Sequence, residues 1–185
     1  MTQTPDNAAN ADDRAVATAL TGVLVRGEQN LLAESAAPGI AGARAALETF
    51  YYAFNTRSLA LYQQIWADDP LAQLNTPIAG LVRGKASITA LSQRMLSSPV
   101  RIQSIFEDIV AYATPELVVF TGRERGEYAR DDEPGTAPER PDVRTSCICV
   151  FRFIAEQGGW RQVYHHVSLD DADQLARFQR AARGG

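Results

Sequence analysis

The chain has 185 residues, 45% of them hydrophobic and 22% charged, with a net charge of -4 and a pI near 5.2. That describes one ordinary globular domain with short extras. It argues against a general nucleic-acid or anionic-membrane binder, which needs a basic surface. No run approaches the roughly 20 apolar residues of a spanning helix.

Residues 1–11 are small and polar without periodicity, and are expected to be a disordered tail. Val16, Leu20, Val23, Leu24 and Leu31 fall near a 3.6-residue period, which predicts a helical extension over 12–38. This opening lacks the cationic leader of a secretory signal, so a cytoplasmic, unprocessed protein is expected. After Pro38-Gly39, Leu47, Phe50, Tyr51 and Phe54 make an amphipathic stripe over about 41–56. Leu59, Tyr62, Ile65 and Trp66 continue as a shorter helix, stopped by Asp68-Asp69-Pro70. Residues 71–83 predict a short strand and a turn near Thr76-Pro77. A third helix follows from Gly84 to Leu96, with Ile88, Leu91 and Met95 on one face.

The period then changes to two. Strands are expected over 100–112, 117–128, 144–154 and 160–169, with a long exposed loop over 129–143. Ser168 to Asp171 resembles a capping box opening a last helix over 171–185. Helices followed by a run of antiparallel strands give an α+β class. A curved sheet wrapped around the helices would bury both patterns.

Three segments carry a resemblance. They are residues 46–69 (ALETFYYAFNTRSLALYQQIWADD), residues 80–88 (GLVRGKASI) and residues 159–168 (GWRQVYHHVS). Together they resemble the SnoaL-like branch of the NTF2-like superfamily, over about 39–170. The resemblance implies a conical barrel with a strongly curved sheet around N-terminal helices, enclosing a small-molecule pocket, and a homodimer. The superfamily spans ketosteroid isomerase, dehydratases, epoxide hydrolases, polyketide cyclases, kinase association domains and transport factors, so the fold does not fix the reaction. Where ketosteroid isomerase places a catalytic Asp, this chain reads Pro70-Leu-Ala-Gln-Leu-Asn-Thr-Pro77, without an acid. The isomerase's helix-one Tyr falls near Phe50.

Both histidines lie side by side, so strand alternation separates them. Trp160, Gln162, Tyr164 and His166 share one face; Arg161, Val163, His165 and Val167 share the other. By the resemblance to kinase association domains, the second set faces the cavity. His165 is therefore the candidate acid or base, with Glu124, Asp108 or Tyr52 as candidate orienting partners. Tyr52 or Arg123 would orient the ligand. The expected pocket lining is Tyr51, Tyr52, Phe54, Asn55 and Trp66 from the helices, with Arg123, Glu124, Arg125, Val163 and Val167 from the strands. An inward arginine would favour a carboxylate; outward, Arg123 and Arg125 would serve salt bridges. Cys147 and Cys149 share a face but lack zinc spacing, so they are expected as small buried hydrophobes, with no metal and no cofactor. Two functions follow as expectations. One is an isomerase, cyclase or hydrolase acting on an apolar ring-bearing or carboxylated compound. The other is a non-catalytic dimeric binding or assembly module.

Overall fold

A computed structural model of the chain describes residues 15–77, 79–130, 143–173 and 176. The expected tail over 1–11, most of the loop over 129–143 and most of the helix over 171–185 lie outside these residues.

Helix α1 (Gly39–Asn55) forms on the predicted stripe, and its buried face carries Leu47, Phe50 and Tyr51. Helix α2 (Leu59–Ile65) opens where the Ser58 hydroxyl accepts the Leu61 amide at 3.4 Å, an N-cap. A hairpin, β2 (Gln73–Thr76) and β3 (Gly80–Arg83), follows, then α3 (Lys85–Leu96). Strands β4 (Val100–Ala113), β5 (Leu117–Arg130), β6 (Val143–Ile154) and β7 (Gly159–Leu169) match the predicted period-two segments.

With an N-terminal strand β1 (Val16–Ala19), the sheet has seven strands in the order β1-β4-β5-β6-β7-β2-β3. It is mixed, because β2 runs parallel to β7 while the other pairs are antiparallel. Its concave side closes on the helices around Trp66, Trp160, Tyr51, Tyr62, Phe106, Phe120 and Phe151, each at most 2% exposed. A bulge in β4 between Glu107 and Val110 bends the sheet there. Asp108 takes φ 56°, and Gly122 on β5 faces the bend. A Cβ on Gly122 would lie 2.6 Å from the Glu107 carbonyl oxygen, so only glycine permits this approach.

The N-terminal helix expected over 12–38 is not what forms. Val16–Ala19 is a strand paired with Val110–Ala113, and the chain then runs as an arm across α1. Gly22 and Gly27 sit at φ 73° and 63°, which stops a helix. The open edge of β4 supplies backbone partners instead: Val25 and Phe106 exchange two hydrogen bonds of 2.9 Å. The hint lay in β-branched residues two apart, Val16 with Thr18 and Val23 with Val25, which is also strand spacing.

The arm is fastened by Asn55. Its Nδ2 donates to the carbonyls of Arg26 and Ser104, each at 2.9 Å, and its Oδ1 accepts the Ser104 amide at 2.9 Å. Every polar atom of that side chain is thereby committed to structure, which corrects its expected role as pocket lining. Asn55→Ala is expected to cost about 1–3 kcal/mol. Hydrogen exchange should accelerate most at the Val25 and Phe106 amides; unchanged protection there would show that the clasp is not what holds the arm.

The capping box also shifts. Strand β7 continues through Ser168, and Asp171 takes the cap, its Oδ1 accepting the Asp173 amide at 2.6 Å.

Candidate functional site

Polar side chains from four elements meet inside the cone. Tyr51 reaches in from α1, Glu124 from β5, Cys147 and Cys149 from β6, and Gln162 and His165 from β7. All six are buried. Register explains the meeting: Cys149 sits opposite His165, and Thr145 opposite Glu124. Directly opposed residues on one face have Cβ atoms within about 5.5 Å, close enough for side-chain bonding.

The Tyr51 hydroxyl donates to Glu124 Oε1 at 2.5 Å, and the Thr145 hydroxyl reaches Oε2 at 3.4 Å. Glu124 Oε1 lies 3.9 Å from His165 Nε2. On the other ring nitrogen, Nδ1, Cys149 Sγ sits at 3.3 Å and Cys147 Sγ at 3.9 Å. The two sulfurs are 3.6 Å apart. The His165 ring rests on Phe50 with centroids 4.8 Å apart, and Tyr51 stacks on Phe106 at 5.7 Å.

Burial acts differently on each group. It pushes the Tyr51 phenol and the Cys147 thiol well above their usual ranges, so both keep their protons at neutral pH. It would raise Cys149 too. The hydrogen bond from Cys147, with the charge and hydrogen bond of His165, outweighs it and brings Cys149 down to about 6. For His165 burial opposes the charge, but Cys149 and Glu124 outweigh it and raise the imidazole. Both shifts run toward the charged form of the pair, a Cys149 thiolate beside a His165 imidazolium. Gln162 closes the cluster: its Nε2 lies 3.3 Å from Nδ1, and its Oε1 has no partner among the described residues.

The two thiols and the imidazole nitrogen lie within 4.8 Å of one another, so a thiophilic cation is the competing occupant of this spot. A cleft of about 530 Å³ lies elsewhere, between the arm and α1, lined in part by Leu20, Arg26, Arg44 and Glu48; none of the polar cluster lines it.

The expected lining divides. Tyr51, Trp66 and Glu124 are in the interior, while Tyr52, Phe54 and Val167 are half-buried against the core. Arg123 points outward: its side chain is 63% exposed, and its guanidinium lies 4.0 Å from Asp108, on the outer face of the sheet. Arg125 shares its parity, so the inward-arginine expectation is corrected for both. On β7 strict alternation fails. A bulge leaves Val163 without an opposing residue on β6, so Gln162 and His165 face the same side. His166 lies on the other side, bonded to Asn75 at 3.2 Å and to the Tyr164 hydroxyl at 2.9 Å. Asp69 bonds Arg152 at 3.0 Å, as a surface helix stop would. Sequence reasoning missed Gln162 and the partnership of Cys149; the only signal was the shared face of the two cysteines.

The family model of the SnoaL-like domain matches residues 43–171. The chain belongs to the SnoaL-like domain family. Solved structures agree on the fold of this SnoaL-like chain. A Thiobacillus denitrificans protein described as a candidate calcium/calmodulin-dependent protein kinase type II association domain is 26% identical. It covers 69% of this chain and 94% of its own, with a TM-score of 0.55. A Streptomyces avermitilis protein described as a candidate dehydratase of the NTF2-like family is 19% identical, covering 70% and 94%, with a TM-score of 0.59. An NTF2-like superfamily protein from Salmonella enterica is 16% identical, covering 68% and 87%, with a TM-score of 0.58. The fold is therefore the NTF2-like α+β cone. No curated protein matches the sequence.

Proposed function

We propose that this SnoaL-like protein binds a small molecule in its cone and converts it by acid–base chemistry, with His165 as the proton-transfer group. The observation that carries this is the buried Tyr51–Glu124–His165 array. Core packing alone gives no reason to place a carboxyl, a phenol and an imidazole together where burial of unpaired polar groups is costly. Glu124 orients the imidazole, and Tyr51 fixes Glu124 through its 2.5 Å bond. The aromatic walls, Phe50, Tyr62 and Phe106, suit an apolar ring-bearing compound. The inward carboxyl and the outward arginines give less support to a carboxylated one.

The reading extends to a cytoplasmic homodimer. Tyr112, Leu117 and Ile148 expose apolar surface on the outer face of β4, β5 and β6, at 44%, 38% and 37%. No described helix is long and apolar enough to cross a membrane.

The test is a thermal-shift screen of ring-bearing compounds, followed by mass-spectrometric detection of conversion of any stabilising hit. His165→Asn is expected to lower kcat about a hundred-fold or more, the usual worth of a positioned acid or base. Unaltered conversion by that variant would sink the proposal.

A non-catalytic binding or assembly module is favoured by one observation: the aromatic side chains close tightly over the array, leaving His165 only 5% exposed. The kinase-association description of the Thiobacillus denitrificans structure points the same way. That module predicts stabilising ligands without conversion.

A further inference from the structure

We propose that Cys149 is a nucleophile, with His165 as its base and Glu124 as the group that orients the base, in acyl transfer from small apolar esters or thioesters. This deepens the cone-pocket reading and rests on it.

The geometry is that of an activated nucleophile. Cys149 Sγ lies 3.3 Å from one imidazole nitrogen and Glu124 Oε1 3.9 Å from the other. The arrangement is fixed by backbone: Cys149 and His165 are opposed residues of neighbouring strands. The ring is seated on Phe50, and Glu124 is held by Tyr51 and Thr145. Cys147 has a separate part. Its thiol keeps its proton and lies 3.6 Å from Cys149, where it donates to the thiolate. Fully buried cysteines are ordinarily inert. Cys149 differs because a base and a second thiol touch its sulfur, and a plain core position has neither.

The chemistry balances with water as co-reactant. The thiolate adds to the carbonyl carbon, and the π pair moves to oxygen. The C=O re-forms as the bond to the leaving oxygen or sulfur breaks, and the leaving group takes the proton of the His165 imidazolium. The neutral imidazole then takes a proton from water as hydroxide adds to the Cys149 thioester. Collapse releases the carboxylic acid and restores the thiolate–imidazolium pair. Phe50, Tyr62 and Phe106 nearby select an apolar acyl group.

The experiment uses p-nitrophenyl acetate on the full chain, with intact-mass and peptide mapping. The wild type should gain one acetyl group, on Cys149, with matching release of nitrophenolate. Cys149→Ser should lose the label, and His165→Asn should slow it about a hundred-fold at neutral pH. Mapping on the wild type needs no variant to fold. The proposal is overturned by acetylation confined to Lys85 or the N-terminal amine, by label on Cys147 instead of Cys149, or by a stoichiometric metal ion found on the purified protein. If Cys149 is inert while a cone ligand still depends on Tyr51 and Glu124, the pocket reading stands and this one falls.

Discussion

Trp160→Ala is expected to lower the stability of the fold by about 3–5 kcal/mol, the range for truncating a fully buried large aromatic. Trp160 has no exposed surface and opens β7. Its indole Nε1 donates to the Ala37 carbonyl at 3.1 Å, just ahead of α1, and its ring meets Phe153 edge-on with centroids 5.6 Å apart. Gly42 in the first turns of α1 presses against the ring; a Cβ there would sit 2.9 Å from Cδ1. The indole is thus the joint between the first helix and the last strand, the two elements that carry Tyr51 and His165. Its loss opens a cavity, orphans a carbonyl and loosens the seat of α1. Trp160→Phe keeps most of the volume and loses the hydrogen bond, for about 1 kcal/mol. Urea unfolding midpoints measure both. A shift under about 1 kcal/mol for the alanine variant would show that α1 is anchored elsewhere.

The sequence made the local parts of this architecture legible. The Leu47, Phe50, Tyr51 stripe marks α1 because a helix writes its buried face into spacing alone. The strands β4 to β7 show for the same reason. What stayed illegible depends on neighbours far along the chain. The arm over α1 reads as a helix until the free edge of β4 is known to offer Val25 its partners. On β5, alternation separates Glu124 from Arg123 and Arg125, but only the completed cone decides that the acid faces in. On β7, one bulge at Val163 brings Gln162 onto the face of His165, and nothing in the local pattern announces it. The cysteines are the sharpest case. Cys147 and Cys149 look like small hydrophobes until the register sets one of them against His165.

That register has a consequence in pH. Cys149 is held at about 6, below the 9.0 of a free thiol. A group with a lowered folded pKa stabilises the fold above its unfolded pKa, and loses that contribution as pH falls through the folded value. The stability difference between the wild type and Cys149→Ala should therefore grow as pH rises from about 6 to about 9. His165 acts in the opposite sense. Its folded pKa is raised, so its contribution is complete below about 6.5 and fades as pH rises through the folded value. Between these limits the two contributions overlap, each in part. His165→Asn removes the cation that holds Cys149 down. In that variant the thiolate absorbance of Cys149 should titrate at higher pH, with its alkylation by iodoacetamide at neutral pH slowed to match. Urea midpoints across the pH series read the first effect, and thiol titration reads the second. A wild-type difference that stays flat from pH 6 to 9, with the same thiol titration in both proteins, would make Cys149 an ordinary buried thiol. Acyl transfer through Cys149 would then fall, because an unactivated buried thiol is not a nucleophile.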